Sequence, residues 1–377
     1  MLATRREVGK DSDVRSVPNR GRLAIGLFLE LRLVPVVQWS FTGVILGTAL
    51  AGRSVAISVP LLIASIVVAM LIHGVIAHCA NDLVDARSGT DAHPAPRILS
   101  GGSKVLGLGL LETRHLRMMG AVGATAAAVV GAAVASQRGW WLLGLGLVGM
   151  LGAATYSLPP VRGAYRPFVG EAIAVACGWI CVFGTDAAQR GAPSGLAALV
   201  ALHWVLACMT MLMLHHIPDR EPDLAASPQK RTTVALIATR PHWYAAAWPI
   251  AGTVIGAWVA ITDLPELWPS VAGAVLAAIA AVAARPDDLA SVTRSEMISV
   301  VVVMVGGLAS AALMVGGLAW AALIPLVLLP LDAMAGKHAA RIGRQGPPGD
   351  SGPGTSAAVQ GARSLGSRAR AKRGECS

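Results

Sequence analysis

The sequence has little charge, because only 14% of its 377 residues are Asp, Glu, Lys or Arg, whereas 54% are hydrophobic. With a mean hydropathy of +0.61, this composition excludes an ordinary soluble domain and indicates a membrane protein. The region before Arg32 lacks a short apolar core followed by a small-residue cleavage site, so it is predicted to be a cytoplasmic tail rather than a signal peptide. The five cysteines lie mostly inside apolar segments and predict neither a disulfide framework nor a metal site.

Long apolar blocks dominate what is present, and each is about the length that an α-helix needs to cross a bilayer. Eight such helices are predicted near residues 34–51, 56–80, 117–136, 139–157, 168–187, 195–215, 242–262 and 267–284. A ninth apolar region, 297–331, is too long for one crossing, and it contains four glycines at which it can break: Gly306, Gly307, Gly316 and Gly317. The predicted fold class is therefore all-α, a polytopic membrane bundle of nine or ten transmembrane helices.

The net charge of +10 comes mostly from the two tails and from certain loops. Membrane topology explains this distribution better than nucleic-acid binding, which is not predicted. The loops 81–116, 158–167 and 216–241 carry most of the loop cations, so they are predicted to lie on the cytoplasmic side of the cell membrane. The tail after Asp332 is also basic, and this charge bias alone favours ten spans.

Three segments are predicted. Residues 1–33 form a basic N-terminal tail, residues 34–333 form the transmembrane domain, and residues 334–377 form a basic C-terminal tail. The last forty residues are rich in Gly, Pro, Ser, Ala and Arg. With so few large apolar side chains they are predicted to be disordered.

Two acidic clusters stand where apolar spans end. The first acidic motif is Asn81-Asp82-Leu83-Val84-Asp85 continuing to Asp91, and the second runs from Asp219 to Asp223. Charged groups beside hydrocarbon are costly unless they are paired or liganded, so they indicate a functional site. Spacings of three or four place side chains on one helix face. Carboxylate pairs stacked in this way suit Mg²⁺, a hard ion that binds oxygen and often shares a phosphate-bearing substrate.

Cations follow both motifs and point to a diphosphate substrate. Arg97 and Lys104 follow the first motif, and Lys230 and Arg231 follow the second, where they are predicted to hold diphosphate oxygens. The alternative is that all these charges are solvated loop residues that set topology. The recurrence of the same arrangement, four helices apart and on the same predicted membrane side, favours a metal and diphosphate site.

The two acidic motifs and the segment between them resemble the motifs of a known family. Asn81-Asp82-x-x-Asp85-x-x-x-Gly89-x-Asp91 and Asp219-x-x-x-Asp223 resemble the two aspartate-rich motifs of the UbiA superfamily of intramembrane prenyltransferases. The Gly89-x-Asp91 ending is most similar to 1,4-dihydroxy-2-naphthoate polyprenyltransferases of menaquinone synthesis. Tyr156-Ser157-Leu158-Pro159-Pro160, followed by Tyr165-Arg166 and Gly170-Glu171, resembles that branch's Tyr-x-x-x-Pro…Tyr-Arg-Gly-Leu-Gly-Glu segment. The three motifs occur in the expected order within residues 34–315.

The resemblance implies a helical bundle around a cavity, whose mouth is capped by the aspartate-rich loops. It implies an Mg²⁺-dependent enzyme that ionises an isoprenoid diphosphate and transfers the prenyl group to an aromatic acceptor within the lipid bilayer. The residues implied to hold metal are Asn81, Asp82, Asp85, Asp91, Asp219 and Asp223. Those implied to contact diphosphate are Asn81, Arg97, Lys104, Arg166, Lys230 and Arg231. The residues expected to carry catalysis are Asp82, Asp85, Asp219, Asp223 and Tyr156, and a tyrosine such as Tyr156 at the end of a span is alternatively an interfacial anchor.

The sequence departs from this branch around the second motif. His215-His216-Ile217-Pro218 replaces Asn-Asn-x-Arg, and Pro218 and Pro222 are expected to distort or end the helix. These changes leave a terpene cyclase on the same scaffold as an alternative, because without an external nucleophile the chain's own double bonds capture the cation. A transporter or lipid-binding protein is a third alternative, although transporters place their charges near the middle of the membrane. A zinc site at His215 and His216 is not expected, because adjacent histidines point apart on a helix.

Overall fold

The computed structural model describes residues 20–90 and 102–344, and side chains as far as Arg341 with the exception of residue 340. By internal contacts the chain divides into two units, Met1–Gly336 and Lys337–Ser377. The first unit contains the helical bundle, and the second is described only as far as Arg344. Every secondary-structure element in the described residues is helical, as expected where no water is present to hydrogen-bond an open backbone.

Nine helices of the described residues are long and apolar enough to cross a membrane, which confirms the predicted fold class. They are α2 (Leu33–Gly52), α3 (Val59–Ser88), α4 (Thr113–Arg138), α6 (Val169–Arg190), α7 (Gly195–His216), α10 (Pro241–Thr262), α11 (Pro265–Val282), α12 (Leu289–Met314) and α13 (Gly316–Ala339). The others are α1 (Arg20–Glu30), α5 (Leu142–Ser157), α8 (Arg220–Ala225) and α9 (Thr233–Leu236). α2 and α7 are mostly buried inside the bundle, whereas α4 and α13 are mostly exposed on its surface.

The 16-residue helix α5 is also apolar but shorter than the nine spans. Its last residue, Ser157, donates a hydrogen bond of 3.0 Å to Asn81 Oδ1 at the end of α3. α5 therefore returns the chain from the far end of α4 to the end of the bundle that holds the first acidic motif. With α5 counted, the described residues contain ten apolar helices, nine of them long enough to cross a membrane.

The long apolar region after Met297 divides at its second pair of glycines. α12 ends at Met314, Val315 is extended, and 3₁₀ turns over Gly316–Ala322 lead into the helix Leu323–Arg344. The first pair, Gly306 and Gly307, lies inside α12, where an added Cβ would come within 2.5 Å of Pro269 O and of the Trp204 ring. Those glycines permit close helix packing instead of a break.

Residues 20–30 of the predicted N-terminal tail form the helix α1 in this structure. Gly26 of α1 packs so closely on the loop before α4 that an added Cβ would lie 2.9 Å from Leu111 Cγ. Glu30, the last residue of α1, is fully buried. α1 therefore packs on the loop before α4, which is distant from it in sequence. Local composition does not reveal this contact.

Candidate active site

A cavity of about 440 Å³ opens between the ends of α3 and α7 and extends into the bundle. Its walls are mostly apolar and include several glycines from α4, α5 and α6. The polar side chains that line it are concentrated where α3, α7 and the loops after them meet, and this end is called the mouth below. They include Arg32, Asn81, Asp85, Tyr156, His215, His216, Asp219, Lys230 and Glu296.

The first acidic motif stays helical up to Ser88, after which Gly89 adopts a left-handed conformation with φ of 81° and ends α3. Asn81 and Asp85 therefore share a face, as their spacing predicts, and Asn81 Nδ2 donates to Asp85 Oδ2 over 3.1 Å. Both residues line the cavity. Asp91 lies outside the described residues.

Asp82 does not line the cavity together with its neighbours in the motif. Its buried carboxylate accepts hydrogen bonds from the Ser103 backbone N–H, at 2.9 Å, and from the Ser103 hydroxyl. Ser103 Oγ also lies 2.7 Å from Glu30 Oε2. Through Oδ2, Asp82 thus connects α3 with Ser103 in the loop before α4 and, by way of Ser103, with Glu30 of α1, whereas Asp85 lines the cavity.

The second acidic motif begins just after α7 ends at His216. Pro218 and Pro222 interrupt regular helix here, as expected, and the motif continues in the short helix α8. Asp219 lines the cavity, whereas Asp223 is completely buried behind it. The Asp223 N–H donates to Asp219 O over 2.8 Å, so one turn still connects the two aspartates.

Lys230 brings the two motifs together. Its Nζ lies 2.9 Å from Asp85 Oδ2 and 3.9 Å from Asp223 Oδ1. Burial lowers the pKa of Lys230, but the adjacent Asp85 and Asp223 carboxylates have the larger effect. The pKa of Lys230 is therefore raised well above its usual value. The backbone N–H of Ser227 also donates to Ser88 O over 2.9 Å. Both acidic motifs therefore lie at one mouth and are physically connected.

Two tyrosines from the segment between the two acidic motifs, Tyr156 and Tyr165, lie beside this connection. The Tyr165 hydroxyl donates to Asp85 Oδ1 over 2.8 Å and lies 3.0 Å from Ser88 Oγ. Burial and the Asp85 carboxylate raise the pKa of Tyr165 to about 12, so the hydroxyl remains a donor at neutral pH. Tyr156, near the end of α5, lines the cavity and packs against the small cluster that contains Tyr165, so it borders the site.

The other predicted diphosphate contacts are not gathered at the mouth. Arg97 lies outside the described residues. Arg166 is exposed and donates to Pro160 O over 3.3 Å, Arg231 is exposed, and Lys104 is not among the residues that line the cavity. Of the five predicted cations, Lys230 is the one that lines it in the part of the chain that the structure describes.

Sequence reasoning missed Glu296 and gave no role to His215. Glu296 of α12 is fully buried, and its Oε1 lies 3.0 Å from His215 Nδ1. His215 Nε2 in turn lies 3.9 Å from Asp219 Oδ2. The available signal was an acidic residue beside an apolar span, but nothing local indicates that Glu296 meets a histidine 81 positions away.

The donor set at the mouth fits Mg²⁺ bound together with a substrate. Among residues 20–90 and 102–344, no group of three or more His, Cys, Asp or Glu side chains is placed to hold a metal ion alone. Mg²⁺ usually binds through one or two carboxylates, several waters and substrate phosphates. Asn81, Asp85 and Asp219 line the same cavity, and their side chains carry the type of oxygen donor that such binding requires.

Comparison of the sequence with known families gives one match. The model of the UbiA prenyltransferase family matches residues 40–295. A 1,4-dihydroxy-2-naphthoate octaprenyltransferase from Mycobacterium leprae (strain TN) is 28% identical over 162 residues, which cover 43% of this chain and 53% of that protein. The match thus spans about half the length of this curated relative.

Solved structures of a UbiA homolog from Archaeoglobus fulgidus share the fold. The form bound to DMAPP and Mg²⁺ has a TM-score of 0.55 and 15% identity, and it covers 76% of this chain and 99% of that chain. The form bound to GPP and Mg²⁺ has a TM-score of 0.53 and 14% identity over the same shares of the two chains. Identities this low bear on architecture alone.

Proposed function

This chain belongs to the UbiA prenyltransferase family, and from that membership we propose that it transfers a prenyl group from an isoprenoid diphosphate to an aromatic acceptor, with Mg²⁺ at the mouth of the cavity. One observation carries the proposal. The two acidic motifs, which are distant in sequence, meet at a single mouth, where Lys230 pairs with Asp85 and Asp223. A shared ligand of high negative charge fits this arrangement of metal-binding oxygens and one ammonium group.

The proposed metal ligands are Asn81, Asp85, Asp219 and Asp223, together with Asp91 of the first motif. Asp82 is assigned a different role, because its carboxylate is engaged by Ser103. When bound, Mg²⁺ neutralises negative charge that develops on the departing diphosphate. Relatives support this choice of metal, since the Archaeoglobus fulgidus homolog binds Mg²⁺ with DMAPP or with GPP.

The chain's own side chains then bind and orient the reactants. Lys230 contacts the diphosphate oxygens, and Tyr165 fixes the Asp85 carboxylate by its hydrogen bond. The apolar part of the cavity holds the isoprenoid tail away from water. Breaking the allylic C–O bond releases diphosphate and leaves a carbocation. A ring carbon of the acceptor attacks it beside Tyr156, and the ring loses a proton or carbon dioxide to recover its aromaticity.

We further propose a dihydroxynaphthoate-like acceptor. The support is the Mycobacterium leprae relative, named for that activity, and the Gly89-x-Asp91 ending of the first motif. The chain is a multi-pass membrane protein, and we propose that its mouth faces the cytoplasm because the loops there carry most of the loop cations. The tails at 1–33 and 334–377 are proposed to lie on that same side, outside a membrane domain formed by residues 34–333.

The test is an assay of the purified full chain in lipid with Mg²⁺ and dimethylallyl, geranyl, farnesyl or longer prenyl diphosphates. Each donor is incubated with and without 1,4-dihydroxy-2-naphthoate or a related aromatic acid, and lipid extracts are analysed by mass spectrometry. A prenylated aromatic product is expected. Hydrocarbon or cyclised products from the donor alone would select a cyclase instead, and failure of every donor to react would overturn the proposal.

A further inference from the structure

The buried carboxylate of Glu296 and the imidazole of His215 lie beside the second acidic motif. Glu296 Oε1 lies 3.0 Å from His215 Nδ1, and His215 Nε2 lies 3.9 Å from Asp219 Oδ2. All three residues line the cavity, and the carboxyl of Glu296 is completely excluded from the surface. A charged side chain in such a place is costly unless it is paired or hydrogen-bonded, and His215 is one such partner of Glu296.

The hydrogen bond from His215 to Glu296 determines what the other ring nitrogen offers. In the tautomer whose Nδ1 donates to the Glu296 carboxylate, Nε2 presents its lone pair. Histidines that bind metals are held in this manner, with one nitrogen on the metal and the other donating to a carboxylate. The separation of 3.9 Å between Nε2 and Asp219 Oδ2 leaves room for a cation to contact both atoms.

We infer that His215 Nε2 is a metal ligand beside Asp219, positioned by Glu296, so that the divalent ion on the side of the second motif has a mixed nitrogen and oxygen environment. This inference rests on the proposed function, because the same ion also binds the diphosphate. The neighbouring His216 also lines the cavity, but its ring lies at 73° to that of His215, and no contact with Asp219 or Glu296 is assigned to it, so it serves as the control.

A nitrogen ligand changes which metals the site prefers. Mg²⁺ favours oxygen ligands throughout, whereas imidazole favours first-row transition metals. The site is therefore expected to bind Mn²⁺ or Co²⁺ more tightly than Mg²⁺. His215 is expected to contribute to this difference in affinity. Glu296 acts through His215, and losing such an outer partner weakens metal binding by about 10- to 100-fold.

Electron paramagnetic resonance of Mn²⁺ tests the inference without measuring turnover. The full-length protein, purified in detergent, is loaded with MnCl₂ and inorganic diphosphate. Electron spin echo modulation is then recorded for the wild type, H215A and H216A, with [¹⁵N]histidine labelling to identify imidazole nitrogen. Nitrogen coupling is expected in the wild type and in H216A but not in H215A, and E296Q is expected to weaken Mn²⁺ binding about tenfold.

The outcomes separate the two proposals. Phosphorus coupling without histidine nitrogen coupling in the wild type would overturn the role of His215 and leave the metal and diphosphate site intact. Nitrogen coupling that survives in H215A would also overturn it. Absence of any protein-bound Mn²⁺, with or without diphosphate, would contradict the proposed function itself.

Discussion

Lys230 Nζ lies 2.9 Å from Asp85 Oδ2, so a side chain from the loop after the second acidic motif neutralises a carboxylate of the first. Both partners are buried. Breaking such a pair from one side leaves an uncompensated buried charge, which typically costs about 3–5 kcal/mol. The stability of the mouth therefore depends on keeping the charge of Asp85 paired with that of Lys230.

K230M should therefore lower both stability and turnover, because Asp85 and Asp223 lose their shared ammonium group. Thermal unfolding in detergent and donor consumption measure the two effects. R231M is the matched control, since Arg231 is the next residue but is exposed. Similar losses in both variants would contradict the special position of Lys230.

D85A and D219A should each reduce turnover to background while expression and membrane insertion remain intact. The reason is that each substitution removes a carboxylate proposed to hold Mg²⁺. Donor consumption is measured across a Mg²⁺ titration. D82N should behave differently, retaining metal dependence but losing stability, because Asp82 binds Ser103. Full activity in either of the first two variants would rule out the metal assignment.

Y165F should reduce kcat/KM about tenfold or more, the usual cost of losing a hydrogen bond to a charged group. The hydroxyl that it removes holds Asp85 Oδ1 at 2.8 Å. R166M, at the neighbouring exposed position, serves as control and should leave kcat/KM unchanged. A wild-type value in Y165F would show that Asp85 is held adequately by its other partners.

G146L should narrow the range of donors. Gly146 lines the cavity, and an added Cβ there would meet no atom within 4 Å, so leucine fills space that is otherwise open to the prenyl tail. Activity with longer donors should fall by about tenfold or more relative to dimethylallyl diphosphate. Gly144 is exposed on the same helix and equally unobstructed, so G144L is the control. Equal profiles in the two variants would place the tail elsewhere.

Glu30 predicts a pH dependence of stability. Burial, with the nearby Asp82 carboxylate, raises the pKa of Glu30 from 4.5 to about 8. Between these values the unfolded chain has lost a proton that the folded protein keeps, so stability falls as pH rises through this window. Unfolding temperatures of the wild type minus those of E30Q should decrease from about pH 5 to pH 8. Parallel pH profiles would contradict the shift.

Local patterns predicted the parts of the site that depend on local geometry. Asn81 and Asp85 share a face because α3 remains helical through them, and helical periodicity is visible in sequence. The side chains that depend on distant partners were not predictable in this way. Asp82 turns toward Ser103, 21 positions away, and Glu296 meets His215 across 81 positions.

The sequence also does not show which of two adjacent cations enters the site. Lys230 and Arg231 are equivalent in sequence, yet Lys230 enters the mouth and Arg231 is exposed. The backbone decides, because the Lys230 N–H donates to Asp223 O over 2.8 Å and fixes the direction of the chain there. The fold class depends on composition and on the length of the apolar segments, both of which can be read from the sequence. These contacts depend on the folded backbone, so they were not predictable.

The separation of Asp85 and Lys230 along the chain has a consequence for biosynthesis. They lie 145 positions apart, so at about 5–20 residues per second a ribosome adds the lysine about 7–30 s after the aspartate. During that interval the nascent chain holds the first acidic motif without the cation that later balances it. A partly synthesised chain that ends before Lys230 therefore lacks the ion pairs that join the two acidic motifs.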